Sequence, residues 1–271
     1  METLDIPIKK DRVYIVGLGP GDVSLITLKA LSILKKVEVA LYTGSLLSPK
    51  LVKLIKEYAK EVYNTATLSE DEIVNILESG YRRGKLTAWF HDGCPTIYGG
   101  LWNIISKLKE RNIPYEIVPG VPSFCAAAAR LGIELTVPEE SQTLIISRIS
   151  RRAPMRDEER VRNFVGKGTI ILMLSIHAPD LVVEELKSGG MSGDEQIVLV
   201  HRVTWGEPTE KIIRCKLEEL PKVVERENIK GCSVIIVGPC IDERSFSKTF
   251  RSIVYSPDKH KYSRTVVSEG H

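Results

Sequence analysis

Val13-Tyr-Ile-Val-Gly-Leu-Gly-Pro-Gly-Asp22 joins four consecutive apolar residues to a glycine-rich turn and a carboxylate. The apolar run reads as a buried strand, and the end of such a strand is where α/β proteins place ligand-binding loops. Asp22 is positioned to cap a following helix whose apolar stripe runs Leu25, Leu28, Leu31 and Leu34. The glycine spacing invites a dinucleotide reading and fails it. The third glycine of G-x-G-x-x-G falls at Asp22, where a pyrophosphate would approach, and Pro20 removes one N–H from an anion cradle. No Gly-Lys-Ser/Thr follows, which excludes a P-loop. The turn suits close backbone approach to something other than a dinucleotide phosphate; taken alone it serves equally as a structural turn.

Outward from this stretch, strands and helices alternate. Val37–Tyr42, Leu86–Phe90 and Tyr115–Val118 read as further strands. Ser48-Pro49 opens a helix with Leu51, Leu54, Ile55 and Tyr58 inward. Ser69 and Glu72 form a capping-box pattern before Ile73, Ile76 and Leu77, and a further helix carries Leu101, Ile104, Ile105 and Leu108. The Ala-rich segment Ser123–Leu131 closes this half. The alternation predicts a mostly parallel sheet over residues 11–135.

Glu134–Gln142, with Pro138 inside it, reads as a linker. Beyond it, strands at Leu144–Ser147, Thr169–Leu174, Gln196–Val200, Lys211–Arg214 and Ser233–Val237 are interrupted by helices near Pro179–Lys187 and Leu217–Glu227. The close pair 196–203 and 211–216 suggests a hairpin, hence a mixed sheet over 141–243. Two α/β domains with a cleft between them follow. Residues 244–271 form a basic tail, either a solvated terminus or a flap or dimer arm.

The 271 residues suit two ordinary domains, with 43% hydrophobic and 27% charged content. A net charge of +3, from 38 basic and 35 acidic residues, is too mild to predict nucleic-acid binding, yet leaves room for a local basic pocket. Five scattered cysteines, none spaced as CxxC, argue against a disulfide framework or a zinc site. No metal site is expected. No apolar run approaches the ~20 residues of a membrane span, and METLDIPIKK lacks a signal-peptide core, so the cytoplasm is the default location.

Two more small-residue loops lie at predicted strand ends. In His91-Asp-Gly-Cys-Pro-Thr-Ile-Tyr-Gly-Gly100 the polar His91 and Asp92 suit a site, although a satisfied structural histidine explains His91 as well. In Val118-Pro-Gly-Val-Pro-Ser123 the prolines rigidify a turn that Gly120 opens to close approach. Three such loops would line one rim of the sheet, where open α/β sheets bind ligands. No nucleophile constellation appears. Cys94 near His91 is inert by default.

Together GLGPGD, GCPTIYG and VPGVPSFCAAAA resemble the motifs of the tetrapyrrole methylase family. Tyr42-Thr-Gly-Ser-Leu-Leu-Ser48, Glu134-Leu-Thr-Val-Pro138, Thr204-Trp205 with Glu210–Arg214, and Phe250–Tyr255 are similar to its branch that methylates C11 of precorrin-4 or cobalt-precorrin-4. The resemblance covers about residues 12–262. It implies a homodimer of two α/β domains, with S-adenosylmethionine in the interdomain cleft and an acidic tetrapyrrole as substrate in cobalamin biosynthesis. It places Pro20, Asp92, Gly93, Cys94, Ile97, Pro122, Ser123, Leu174 and Val203 at the cofactor. The first loop, Gly17, Gly19, Pro20, Gly21 and Asp22, would align substrate and cofactor; no catalytic residue is assigned. The family usually has Asp where this chain has Cys94, either as a turn cap or as a cofactor contact.

Methyl transfer from a sulfonium needs alignment and dryness more than a strong base, which agrees with the lack of a triad. A substrate with several carboxylates calls for a basic rim. Candidates are His91, Tyr98, Arg148, Arg151 and Arg152, with His177 and Arg202; the arginine run reads equally as a solvated cluster. Alternatives are a family member acting on another precorrin or on the diphthamide precursor, a nicotinamide-dependent reductase, or a non-catalytic scaffold.

Overall fold

A computed structural model describes residues 6–149, 151 and 155–242. Arg152 and the tail 244–271, with Phe250–Tyr255, lie outside the described residues. Ten strands form two five-stranded sheets. The first contains β1 (Val13–Gly17), β2 (Val39–Tyr42), β3 (Glu61–Asn64), β4 (Thr87–His91) and β5 (Tyr115–Val118). Its order is β3-β2-β4-β1-β5 and every pairing is parallel. Parallel neighbours put all the carboxyl ends on one edge, and the register Gly17↔His91 brings the first two loops side by side.

Local signals explain the helices of this half. In α2 (Pro49–Tyr58) the Ser48 side chain accepts the Leu51 N–H, with Pro49 at the first helical position. In α3 (Glu70–Arg82) both bonds of the Ser69/Glu72 capping box are made. The stripe expected after Asp22 shifts. Asp22 caps only a short 3-10 turn, Val23–Leu25, while Thr27 caps α1 (Leu28–Lys36). The helical period therefore restarts: Leu28 is 60% exposed, and Ala30, Ile33 and Leu34 face the core. Tyr58, expected inward, is exposed because α2 ends on it.

α1 and α2 cover one face of the first sheet, packing Ile33, Leu34, Leu51 and Ile55 on Tyr14, Val16, Ala40 and Phe90. α3 and α4 (Leu101–Glu110) cover the other, packing Val74, Leu77, Ile104 and Leu108 on Val13, Ile15, Leu41 and Trp89.

The second sheet contains β6 (Leu144–Ser147), β7 (Thr169–Met173), β8 (Gln196–His201), β9 (Lys211–Lys216) and β10 (Ser233–Val237), in the order β6-β7-β10-β8-β9. β6 and β7 are parallel and the other pairings antiparallel, so the sheet is mixed and β8–β9 is the expected hairpin. The segment before β6 is a tight turn closed by a Val137↔Ser141 bridge. α6 (Pro179–Ser188) and α7 (Leu220–Arg226) cover one face, with Val182, Leu186, Leu220 and Val223 on Leu172, Leu199 and Ile235.

The other face has a different cover. Phe124, Ala126 and Ala127 of α5 (Ser123–Leu131), the helix that leaves β5 of the first sheet, pack on Ile171, Val198, Val200, Val234 and Ile236. Small alanines let that helix approach closely, and Phe124 supplies the bulk. Phe124→Ala should therefore cost about 3–5 kcal/mol in urea unfolding, as for a buried aromatic; a loss below about 1 kcal/mol would show that the helix does not anchor the second sheet.

Candidate functional site

Three loops leave the adjacent strands β4, β1 and β5, and they touch main chain to main chain. Gly19 and Gly93 exchange N–H···O bonds of 3.2 and 2.9 Å, and the Leu18 N–H donates to the His91 carbonyl at 2.9 Å. A β-carbon on Gly120 would lie 2.2 Å from the Gly93 oxygen and 2.8 Å from the Gly17 carbonyl, and one on Gly17 would lie 2.6 Å from the Gly120 nitrogen. Only glycine fits at these contacts. The small-residue loops thus meet at one point, above which a ligand would lie against backbone.

The two carboxylates of the site differ in character. Asp22 accepts the Ser24 N–H at 2.8 Å, and that bond holds its pKa below the ordinary carboxylate range. It caps its own turn and stays ionised there, which disfavours a dinucleotide pyrophosphate at this loop. Asp92 is mostly buried with no basic partner among the described residues, and burial pushes its pKa up to about 6. A carboxylate so placed suits a hydroxyl or ammonium donor from a ligand.

Cys94 makes its contacts within the turn. Its Sγ lies 3.1 Å from Thr96 Oγ1. Burial opposes the thiolate, but hydrogen bonds from Thr96 and from the Gly120 backbone outweigh it and hold the thiol below its usual value. Sulfur here caps the turn.

His91, expected at the substrate rim, sits beneath the loop. It is 2% exposed, and its ring tilts against Trp89 with centroids 4.2 Å apart. Strand alternation is the reason: it shares the side of β4 occupied by Trp89, which packs towards α3 and α4. Burial pushes its pKa down to about 3, so it is neutral at physiological pH, and its Nε2 has no protein partner.

Tyr98 and Arg148 do come together across the two sheets. The Tyr98 hydroxyl donates to the Ile146 carbonyl at 3.4 Å, and the Arg148 guanidinium stands 5.8 Å from the tyrosine ring centre. They line a cavity of about 380 Å³ with Ile145, Ser147, Met155 and Phe164. Arg151 pairs instead with the exposed Asp180. Ile97 and Val203 share one apolar cluster with Phe124 and Met173. Leu174 follows β7 with a left-handed backbone (φ +56°) and is 41% exposed. Pro122 and Ser123 start α5 next to Gly93. Sequence reasoning placed Thr204 and Trp205 in a motif without a role; they reach the first loop from the second sheet.

A parallel sheet whose carboxyl-end loops are touched by a turn of a mixed sheet defines the class of α/β proteins with a loop-built site. Within it the chain belongs to a family: the model described as "Tetrapyrrole (Corrin/Porphyrin) Methylases" matches residues 12–221. The cobalt-precorrin-4 C(11)-methyltransferase of Methanocaldococcus jannaschii is 35% identical over 255 residues, 94% of this chain and 96% of that protein. Among solved structures, a cobalt precorrin-4 methyltransferase of cobalamin biosynthesis superposes with a TM-score of 0.79 at 35% identity, covering 86% of this chain and 97% of that one. Uroporphyrin-III C-methyltransferase from Thermus thermophilus, complexed with S-adenosylhomocysteine, gives 0.69 at 25% identity, covering 85% and 98%.

The raised pKa of Asp92 has a testable sign. The folded state holds this proton up to about pH 6 whereas the unfolded chain releases it near 3.8, so Asp92 lowers stability as pH rises through that window. His91 and His201, buried neutral with values of about 3 and 4, act in the opposite sense below pH 6.5. The difference between Asp92→Asn and the parent protein isolates the carboxylate. The variant should gain on the order of 2 kcal/mol relative to the parent between pH 4 and pH 7. A pH-independent difference would mean that Asp92 is solvated, and a difference of the opposite sign that it is paired.

Proposed function

We propose that this protein transfers a methyl group from S-adenosylmethionine to C11 of precorrin-4 or its cobalt complex, in cobalamin biosynthesis. The observation that carries the reading is the meeting of three glycine-dependent backbone contacts beside a mostly buried carboxylate with no basic partner among the described residues, and with Asp22 disfavouring phosphate at the first loop. Such a site suits a cofactor that brings hydroxyl and ammonium donors and no pyrophosphate. The relatives named for this reaction match nearly their whole length.

Asp92 and the backbone around Pro20, Gly93, Cys94, Pro122 and Ser123 would hold the cofactor, with Ile97, Leu174 and Val203 as its apolar walls. S-adenosylmethionine, when bound, supplies a methyl group already activated by its sulfonium. The chain's own contribution is alignment. The rigid glycine contacts fix the loops before any ligand arrives, and the cluster of Ile97, Val203 and Phe124 keeps water from the cleft. Arg148, beside Tyr98, is placed to receive a substrate carboxylate. Arg151 and Arg152 remain rim candidates.

We divide the chain into domains at 11–135 and 141–243, with 244–271 as a tail, and propose a homodimer, as the family resemblance implies. Five free cysteines favour a reducing, cytoplasmic setting. No helix among the described residues is long and apolar enough to cross a membrane.

Calorimetric titration with S-adenosylhomocysteine should show micromolar binding, and a folded protein that binds none would sink the methyltransferase reading. Arg148→Ala should raise the KM for a precorrin-4 substrate about tenfold or more, the worth of one charge-assisted hydrogen bond, while S-adenosylhomocysteine affinity stays put. Unchanged kinetics would remove Arg148 from the site.

A further inference from the structure

The first loop is held from outside its own sheet. The Trp205 indole N–H donates to the Pro20 carbonyl at 3.0 Å, and the Asp22 N–H donates to Thr204 Oγ1 at 3.1 Å. Both partners belong to the turn that follows β8 of the second sheet, more than 180 residues away in the chain. Gly21, between the two contacts, has φ +147°, and a β-carbon there would lie 2.4 Å from Trp205 Cδ1. The indole therefore rests directly on the backbone of the loop. Its position is set in turn by Arg202, whose guanidinium stands 5.1 Å from the ring centre. Arg202 and Thr204 both adopt left-handed backbone, with φ of +48° and +63°. Two non-glycine residues held this way in one short turn mark a conformation that the surroundings enforce, which is the pattern of a functional constraint.

We propose that the Arg202–Trp205 turn is a clamp, and that Thr204 and Trp205 are positioning residues holding the Gly17–Asp22 loop ready for its ligands. The remaining bonds of the loop complete the picture. Gly19 pairs with Gly93, the Gly21 carbonyl accepts from Ser48 Oγ at 3.0 Å, and the Asp22 carboxylate accepts from Ser24. Only the Pro20 carbonyl and the Asp22 amide take their partners from the second sheet. The clamp thus couples the spacing of the two sheets to the shape of the loop, and a preorganised loop binds without an ordering cost. The part of this that concerns cofactor affinity rests on the methyltransferase reading; the part that concerns the loop does not.

The test uses conservative variants in the full chain. Thr204→Val keeps the shape and loses the acceptor, Thr204→Ser keeps the acceptor, and Trp205→Phe removes the indole donor. Amide hydrogen exchange in the ligand-free protein, read by NMR, should be faster at Asp22 in Thr204→Val and unchanged in Thr204→Ser. By calorimetry, Thr204→Val and Trp205→Phe should weaken S-adenosylhomocysteine binding about 2- to 10-fold, the worth of one neutral hydrogen bond, with Thr204→Ser restoring the parent value. A purely structural contact would lower the melting temperature and leave the dissociation constant alone. Parent-like exchange at Asp22 in Thr204→Val, or equal affinity in all variants, overturns the clamp. If the parent protein binds no S-adenosylhomocysteine, the methyltransferase reading falls and the exchange comparison alone decides.

Discussion

Everything at the site depends on three peptide backbones meeting where a β-carbon on Gly17 or Gly120 has no room. Gly17 ends β1, and Gly93 and Gly120 lie just past β4 and β5, strands that flank β1 in the sheet although they are far apart in the chain. Parallel pairing brings their ends to one edge; the glycines let the loops beyond those ends close on one another. A single methyl group at Gly120 would push two loops apart at once. Backbone contact of this kind is stiff, because it has no rotamers through which to relax. The ligand-facing surface is consequently built before any ligand is present, which is what a reaction needing alignment more than acid–base chemistry demands.

On that scaffold the site separates its charges by solvation. Asp22 is spent on its own turn, whereas Asp92 is buried without a cation and resists ionisation. Held below the usual pKa range, Asp22 stays ionised and repels anions even while it caps its turn, whereas a paired Asp92 would leave nothing for a ligand hydroxyl to address. Cys94 shows how tolerant the turn between them is. A thiol receiving hydrogen bonds from Thr96 and Gly120 performs the capping for which a carboxylate is the commoner choice.

Much of this was legible in the residues. Four of the five strands of the first sheet, the Ser48-Pro49 and Ser69/Glu72 helix starts, and the β8–β9 hairpin all carry local signals. β3 was not foreseen, because Glu61-Val-Tyr-Asn64 is a partly exposed edge strand with no apolar run. The stripe after Asp22 was misplaced since sequence periodicity does not reveal that Thr27 restarts the helix. At the site, the loop positions were readable from glycine and proline spacing. The side of the sheet to which His91 turns was not, nor was the reach of Thr204 and Trp205 to the first loop. Both depend on register and on the packing of two sheets, which are long-range properties.

α5 belongs by connection to the first sheet and by packing to the second. Phe124 and its alanines leave Val118 of β5 and immediately bury themselves on β7, β8 and β10. Neither half of the molecule is therefore a portable module. A fragment ending before β6 would present an apolar helix face to water, and a fragment beginning there would bare one side of its sheet. The two halves must be made, kept and replaced together, so exchanges of segments between relatives would have to carry α5 along with the sheet it covers.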